Sequence, residues 1–347
     1  MMRPRLGNRI FGWFRRRLST DHSAWGHRRG PVDHVIILDG TMSSLKAGQE
    51  TNAGLTFRLL QERGHASLFY EAGVQWTDWA ATADVAYGRG INGQIRRAYG
   101  YLSSRYRPGD RIYLMGYSRG AYAVRSLAGI IDRVGLIRAE AATERNIQQI
   151  YRLYQLAPGG TAARDFARLY CHDSAPIEMV GVWDSVKALG LRLPLLWRLT
   201  ESNHEFHNHA LGATVRRGYH ALAYDETRQA YAPVLWSSPP GWEGEVEQVW
   251  FRGTHGDVGG QIGAETAARP LSNIPLVWML EKLEASGVAL PEGWRARFPC
   301  DVHAPSIGTW TGLGKLFLLR APRLVGADST ESLHETLIDS LATGRSG

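Results

Sequence analysis

The stretch YLMGYSRGAYAVRSLAGII, residues 113–131, begins as an apolar strand and continues as a helix, with one serine at the junction. Ser118 lies two residues after Gly116 and two residues before Gly120. A sharp strand-to-helix turn exposes the serine hydroxyl beside the first N–H groups of the helix, and the glycines remove side chains that would crowd the turn. The pattern indicates a nucleophilic serine, with a helix-capping serine in a glycine-rich turn as the alternative.

Short apolar segments alternate with amphipathic ones along the chain. The pattern predicts strands at 34–41, 65–73, 111–118, 177–186 and from 246 into a glycine-rich loop that ends at 260. It predicts helices at 51–63, 91–106, 119–135 and 273–287, a helical cap insertion near 139–175, and mixed, helical structure across 191–233. This alternation is typical of an α/β protein with a mostly parallel sheet flanked by helices. We expect residues 31–347 to form one such domain.

A serine at its ordinary pKa needs a base, and the base needs an acid that orients it. After a turn of this kind the acid comes next along the chain and the histidine last, each just past a strand. Asp184 ends the run VGVWD and His255 follows the run VWFRGT, so Ser118, Asp184 and His255 are predicted to act together. The alternatives are a carboxylate that caps a turn and a histidine that caps a glycine-rich loop. Asp225 and Asp257 are rival acids, and Asp257 is better placed to hold the loop around His255.

His220 is the rival base. Four apolar residues around it have helical spacing, namely Val215, Tyr219, Leu222 and Ala223. This spacing predicts a helix, which would remove His220 from a strand-end loop. We therefore expect His220 to have a structural role.

An oxyanion needs two hydrogen-bond donors. The first is expected to be the backbone N–H of Arg119, the residue after the nucleophile. The second is expected from Gly40 or Thr41, in the turn that follows the first strand. Asp39 would support this turn, and the alternative is an ordinary Asp-Gly turn.

The basic charge of the chain belongs to its first 30 residues. They hold eight arginines and one acidic residue, which accounts for the whole net charge of +7. A neutral remainder argues against nucleic-acid binding, which needs positive charge on the fold itself. Cys171 and Cys300 have no metal-ligand spacing, and neither a membrane-spanning helix nor a secretory signal is predicted.

The basic segment also carries apolar residues at every fourth position, namely Leu6, Ile10, Phe14 and Leu18. On a helix they would form a stripe flanked by arginines, which suits the surface of an anionic membrane. Two glycines in the segment weaken a helix. The alternatives for residues 1–20 are a solvated basic arm and a segment that packs on its own domain.

Several motifs, taken together with their order and spacing, are more specific than the serine turn alone. They are DGT at 39–41, TN at 51–52, YEAGV at 70–74, GYSRGAYAVRSLAG at 116–129, VGVWDSV at 180–186, HALAYDE at 220–226, WFRGTHGDVGG at 250–260 and LSNIPLVWM at 271–279. Over about residues 32–285 the chain resembles the α/β-hydrolase domain family that includes phospholipase effectors of type VI secretion. The resemblance implies an α/β-hydrolase fold, Ser118 as nucleophile, Asp184 as acid, His255 as base, and no metal or organic cofactor.

The resemblance also implies ester hydrolysis, with phospholipids as substrates of the secreted members. The favoured hypothesis is a serine esterase that acts on lipids or phospholipids. The alternatives are a hydrolase of small soluble esters or thioesters, and an inactive fold that serves as a binding module. We expect a bacterial cytoplasmic location, with membrane association or export without a signal peptide as alternatives.

Overall fold

The structure, a computed structural model, describes residues 29–73, 89–186, 210–237, 241–310 and 317–344. The predicted amphipathic helix of the N-terminal segment lies outside the described residues. The described residues from Val32 onward belong to one compact unit.

The described strands form one sheet in the order β2-β1-β3-β4-β5-β6-β7. All neighbours are parallel, which confirms the predicted α/β class. The strands are β1 (Asp33–Leu38), β2 (Ala66–Glu71), β3 (Arg111–Tyr117), β4 (Ile177–Trp183), β5 (Arg217–Ala223), β6 (Glu245–Phe251) and β7 (Glu331–Leu333).

Helices lie in several of the connections between the strands and after the last strand. They are α1 (Asn52–Arg63), α2 (Arg89–Ser103), α3 (Arg119–Arg133), α4 (Glu144–Leu156), α5 (Thr161–Tyr170), α6 (His255–Gly259), α7 (Arg269–Ala285) and α8 (Glu335–Gly344). Single 3₁₀ turns occur at Ala139–Ala141, Gln229–Tyr231, Thr266–Ala268 and Trp294–Arg297. The ends of α1 follow local chemistry, because Thr51 caps the first turn and Gly64 ends the helix in the left-handed conformation.

The sheet separates two hydrophobic cores. Ile36 and Leu38 of β1 point into the core formed with α2, α3 and α4. Val35 and Ile37 point into the opposite core, formed with α1 and α7. Because both faces are covered, the central strands are continuous apolar runs.

Two strands differ from the prediction. The segment around His220, predicted as a helix, is strand β5, and its residues from Gly218 onward are buried. A strand buried on both faces has no alternation of polar and apolar residues, so its apolar spacing can imitate a helix. The short edge strand β7 was not predicted at all.

The stretch predicted as a helical insertion contains α4 and α5. Helix α4 packs against α2 and α3 and contributes Ile150 and Tyr154 to the core. The assignment of this stretch as a cap over the site stays a prediction.

The strand order also fixes where a site can form. Strand β1 lies between β2 and β3. The chain therefore runs from β1 to β2 on one side and then crosses back over β1 to β3 on the other side. In parallel sheets, such a switch point opens a crevice at the carboxyl ends of the strands. The Asp39–Thr41 turn follows β1 and Ser118 follows β3, so both lie at this edge.

Candidate active site

Ser118 occupies the single residue between β3 and α3. Its backbone angles are φ 56° and ψ −120°, which are unfavourable for a residue with a side chain. Such strain persists only where the surrounding structure enforces it, and it is common at functional sites. The serine side chain is nearly buried, with 7% of the residue exposed.

The glycines on either side of Ser118 are required by space. A Cβ atom at Gly116 would lie 2.7 Å from the carbonyl oxygen of Gly120. A Cβ at Gly120 would lie 2.0 Å from the carbonyl oxygen of Leu38 at the end of β1. Both contacts are with backbone atoms, so no side chain could rotate to relieve them.

The three predicted reactive residues meet at this turn. The Ser118 Oγ atom lies 2.8 Å from His255 Nε2, and His255 Nδ1 lies 2.5 Å from Asp184 Oδ2. Asp184 follows β4 directly, and His255 begins α6 shortly after β6. With the carboxylate accepting from Nδ1–H, Nε2 is left to accept from the serine hydroxyl. The arrangement can move a proton from the hydroxyl to the imidazole.

Asp184 is completely buried and also has a positive φ, of 41°. Its Oδ1 atom accepts from the backbone N–H of Ala223 at 3.0 Å. The guanidinium of Arg323 contacts both carboxylate oxygens, at 2.6 and 2.9 Å. Burial alone raises the pKa of Asp184, but the charges of Arg323 and His255 outweigh it, and the pKa lies well below 3.8.

Arg323 belongs to a C-terminal strap, which we define as residues 317–325. The strap runs along the loop after β5: Gln229 N–H donates to Leu319 O at 3.0 Å, and Ala321 N–H donates to Thr227 O at 2.8 Å. The side chain of Arg323 is only 6% exposed. No sequence motif pointed to this residue.

The His255 ring is held between two tyrosines. The Tyr117 and Tyr231 rings lie 5.0 and 4.7 Å from it, measured between centroids. Tyr117 OH also donates to the carbonyl oxygen of His255 at 3.2 Å. The backbone N–H of His255 donates to Glu226 at 3.2 Å, and Glu226 pairs with Arg228 at 2.6 Å.

The candidate oxyanion donors differ in their availability. Within the described residues, the backbone N–H groups of Arg119 and Thr41 donate to no other group. The N–H of Gly40 donates to Asp39 Oδ1 at 2.7 Å, which leaves Thr41 as the available donor of that turn. Gly40 lies against the serine turn, because a Cβ there would be 3.4 Å from Ser118 Cβ and 2.6 Å from the Tyr117 ring.

Asp39 anchors the turn that carries Thr41. Its Oδ2 atom accepts from Thr51 Oγ1 at 2.6 Å and from Tyr70 OH at 2.7 Å. Burial raises the pKa of Asp39, although these hydrogen bonds oppose the shift. The YEAGV motif contributes a second support: Gly73 packs so closely on the Gly40–Thr41 peptide that a Cβ would lie 2.2 Å from Gly40 O.

Asp257 forms hydrogen bonds on both sides of the loop around His255. It accepts from Thr254 N–H at 2.7 Å and from Ile307 N–H at 3.0 Å. Gln261, which the sequence did not indicate, links this loop to the candidate oxyanion turn through a hydrogen bond from Nε2 to Thr41 O at 2.8 Å. The rival acid Asp225 accepts from Gly253 N–H at 2.7 Å.

His220 lies in the middle of β5, fully buried, and supports the turn of the acid. Its Nε2 atom accepts from the backbone N–H of Ser185 at 3.1 Å, and its ring contacts Trp236. Burial first, and the charge of Arg125 second, lower the pKa of His220 to about 3. The helix predicted here is wrong, whereas the structural role remains the expectation.

Within the described residues, no cluster of histidine, cysteine, aspartate or glutamate side chains could hold a metal ion. Over the same residues, no helix combines the length and the apolar character needed to cross a membrane.

A serine on a glycine-flanked turn at the switch point of a parallel sheet, with a histidine delivered by a later strand, is the arrangement of the α/β-hydrolase fold. The chain belongs to the family described as T6SS, phospholipase effector Tle1-like, catalytic domain, whose model matches residues 33–282. This confirms the resemblance, and the family is one of lipid-hydrolysing enzymes. The match begins with β1 and ends in α7, so the strap lies beyond it.

A curated relative is the uncharacterized protein YEL023C of Saccharomyces cerevisiae (strain ATCC 204508 / S288c). It is 28% identical over 243 residues, which are 61% of this chain and 35% of the yeast protein. The chain thus spans about a third of the length of that relative.

Three solved structures are also similar. An uncharacterized protein from Pseudomonas aeruginosa has a TM-score of 0.40 at 16% identity, covering 78% of this chain and 49% of that one. The Tle1 effector bound to the VgrG spike of the type VI secretion system has a TM-score of 0.31 at 15% identity, covering 69% and 53%. TT1662 from Thermus thermophilus has a TM-score of 0.37 at 14% identity, covering 75% and 91%. These TM-scores are too low to carry an argument, and the fold rests on the strand order.

Proposed function

We propose that this protein is a serine hydrolase that cleaves carboxyl esters of lipids, foremost phospholipids. The observation that carries the proposal is the hydrogen-bonded chain from Ser118 through His255 to Asp184. A buried serine at strained backbone angles, a base and an acid have no structural need to meet at one point. The family description supports the lipid class of the substrate.

In the proposed reaction, Ser118 Oγ attacks the ester carbonyl carbon while its proton passes to His255 Nε2. The N–H groups of Arg119 and Thr41 stabilise the charge that develops on the carbonyl oxygen. Collapse of this intermediate releases the alcohol, which takes the proton from His255, and leaves the acyl group on Ser118. Water then attacks the acyl-enzyme with His255 as base, which releases the carboxylic acid and restores the serine.

Exposed apolar side chains near the site favour lipid over a small soluble ester. On the strap, Leu318 is 72% exposed and Leu324 is 86% exposed. Both lie on the strap whose Arg323 contacts the candidate acid, and contiguous exposed apolar side chains are typical of a surface that binds lipid or another partner. We expect the double variant L318S/L324S to lose activity on vesicles and to keep activity on soluble esters. The matched control is Leu156→Ser, since Leu156 is 76% exposed at the end of α4.

Arg119 favours a lipid that carries negative charge. Its side chain is half-buried beside the nucleophile and forms no ion pair within the described residues. Burial lowers the pKa of this guanidinium, an effect that nearby Tyr231 partly opposes. A phosphate group of the substrate would supply the missing partner.

Residues 1–20 are proposed as a second contact with an anionic membrane, and type VI export is proposed in preference to a cytoplasmic role. Removal of residues 1–20 should leave hydrolysis of short esters intact and reduce binding to anionic vesicles, most visibly at low salt. Equal sedimentation of full-length and truncated protein with such vesicles at low salt would exclude the membrane role of this segment.

The decisive experiment compares the wild type with Ser118→Ala and with Ser126→Ala. Ser126 lies on α3, where its hydroxyl donates to Tyr122 O at 2.9 Å, and serves as the matched control. Substrates are p-nitrophenyl esters of increasing acyl length and mixed phosphatidylcholine–phosphatidylglycerol vesicles. We expect S118A to be folded and to lose activity by a factor on the order of 10⁶, whereas S126A stays active.

The same experiment separates the alternatives. Rates that rise with acyl length and on vesicles support a lipase, whereas a preference for short acyl chains indicates the soluble esterase. Wild-type protein inactive on every substrate would favour the binding module. Full activity of a folded S118A protein would exclude the serine mechanism.

A further inference from the structure

Asp184 binds a second charged partner besides His255. Of the Arg323 guanidinium, one terminal nitrogen contacts Asp184 Oδ1 at 2.6 Å and the other contacts Oδ2 at 2.9 Å. The same two nitrogens donate to Ala223 O at 2.8 Å and to Tyr231 O. The planar guanidinium thus binds the carboxylate of Asp184 and, at the same time, two backbone carbonyl oxygens from the end of β5 and the loop after it.

The Oδ2 atom of Asp184 accepts hydrogen bonds from two side chains. It accepts from Arg323 and, at 2.5 Å, from His255 Nδ1. A carboxylate stabilises a protonated imidazole through its negative charge. A buried arginine bound to the same carboxylate cancels much of that charge, so it makes the imidazole less basic.

We propose that Arg323 is a positioning residue: it orients the carboxylate of Asp184 toward His255 and limits the basicity of that histidine. This proposal rests on the proposed function only for its effect on turnover. The C-terminal strap lies outside the matched catalytic domain. Through Arg323 it would nevertheless help to set the pH range in which the site is active.

Other charged and titratable groups also face His255. They are Ser118 and Tyr117 at the end of β3, Tyr231 and Glu226 in the loop after β5, and Arg228, which pairs with Glu226 and stacks on Tyr231. Glu226 already has Arg228 as its ion-pair partner, and it accepts a hydrogen bond from the backbone N–H of His255 rather than from its ring. Within the described residues, Arg323 is therefore the cation positioned to change the charge that the imidazole meets.

The test measures the His255 imidazole pKa by NMR in the full chain, with the signal assigned by comparison with His255→Gln. We expect Arg323→Met to raise this pKa by about one unit, and the acid limb of kcat/KM to move upward with it. Arg323→Lys should return the pKa close to the wild-type value but restore kcat only in part, since an ammonium group cannot hold both oxygens. Arg320→Met is the matched control, because Arg320 lies on the same strap and contacts Thr309 and Trp310.

The NMR titration needs no substrate, so it decides the role of Arg323 even for a protein that hydrolyses no ester. An unchanged imidazole pKa in folded R323M, or an equal shift in R320M, would overturn the proposal. Loss of the folded state in both R323M and R323K would assign Arg323 to the fold and overturn its positioning role. A shift confined to R323M, with the pKa restored in R323K, would support it.

Discussion

Of the three non-glycine residues with positive φ in the described part of the chain, two directly follow a strand of the sheet: Ser118 after β3, with φ 56°, and Asp184 after β4, with φ 41°. Gly116 and Gly120 flank the first, and their missing side chains make room for it. The second has Trp183 and Ser185 as neighbours and no glycine beside it. It is held instead by groups from elsewhere in the chain.

The holding groups of the second turn come from β5 and from the strap. His220 accepts the N–H of Ser185, and Ala223 and Arg323 donate to the carboxylate of Asp184. The first turn is therefore encoded in five consecutive residues, whereas the second depends on contacts between residues 35 to 139 positions apart along the chain. A local backbone requirement is visible in the sequence as a glycine pattern, whereas support from distant side chains produces no recognisable motif.

The first prediction compares variants of the two histidines that contact these turns. We expect His255→Ala to lower kcat by a factor on the order of 10⁶ while the protein stays folded. We expect His220→Ala to remain active but to lose about 2–4 kcal/mol of unfolding free energy, because it removes a fully buried ring and a hydrogen-bond acceptor. Ester hydrolysis and urea unfolding of both variants provide the measurement. If the two phenotypes were exchanged, the assignment of the base would be wrong.

The second prediction breaks the local encoding of the first turn. Gly120→Ala places a Cβ atom 2.0 Å from Leu38 O and should lower the free energy of unfolding by about 3 kcal/mol or more. Gly93→Ala is the control, because a Cβ there meets only the flexible end of Arg97, at 3.1 Å. In helix α2 that change should be neutral or stabilising. Equal stability of the two variants, measured by urea unfolding, would contradict the spatial explanation of the glycine pattern.

The same contrast explains how much could be predicted. The parallel α/β class, four of the five predicted strands to within a few residues, and the meeting of Ser118, Asp184 and His255 followed from apolar runs and from residues at strand ends. The fifth strand was also correct in position, and the glycine-rich loop predicted after it contains the short helix α6. The roles of the three residues stay predictions until variants are measured.

What could not be predicted depends on burial and on distant contacts. Strand β5 was taken for a helix because both of its faces are buried, which removes the alternation that identifies a strand. Arg323 stands in the sequence APRLVG, which has no feature of a functional motif. Its contact with Asp184 depends on the path of the strap. Gln261 likewise gains its role only when two loops come together.

The third prediction uses the pH dependence of stability to test the support that His220 gives to the second turn. The pKa of His220 is about 3 in the folded protein, against 6.5 for an ordinary histidine. Between these values the unfolded chain binds a proton that the folded protein does not, so stability falls as the pH decreases from 6.5 toward 3. From pH 6.5 to pH 5 this residue alone should remove about 1.5 kcal/mol.

Urea unfolding at the two pH values checks this, with His220→Gln as the variant that lacks the titrating group. The difference between pH 6.5 and pH 5 should be smaller in H220Q than in the wild type. His65→Gln, at an exposed position, serves as the control and should keep the wild-type difference. The same difference in H220Q as in the wild type would show that His220 does not resist protonation in the fold.

The last and smallest effect concerns the arginines of the two turns. Arg323, which contacts the second turn from the strap, has a buried carboxylate as its partner, whereas Arg119 in the first turn has no ion pair within the described residues. Arg119→Gln keeps the backbone N–H and removes only the charge. Because the side chain is half-buried, its attraction to a substrate phosphate is partly screened, and we expect a decrease in kcat/KM of about fivefold on phosphatidylglycerol vesicles.

Hydrolysis of p-nitrophenyl butyrate, which carries no phosphate, should not change, and Arg119→Lys should recover part of the loss. A fivefold loss on both substrates would instead place the Arg119 side chain in the catalytic step, and no loss on either would leave its unpaired charge without a role in substrate choice.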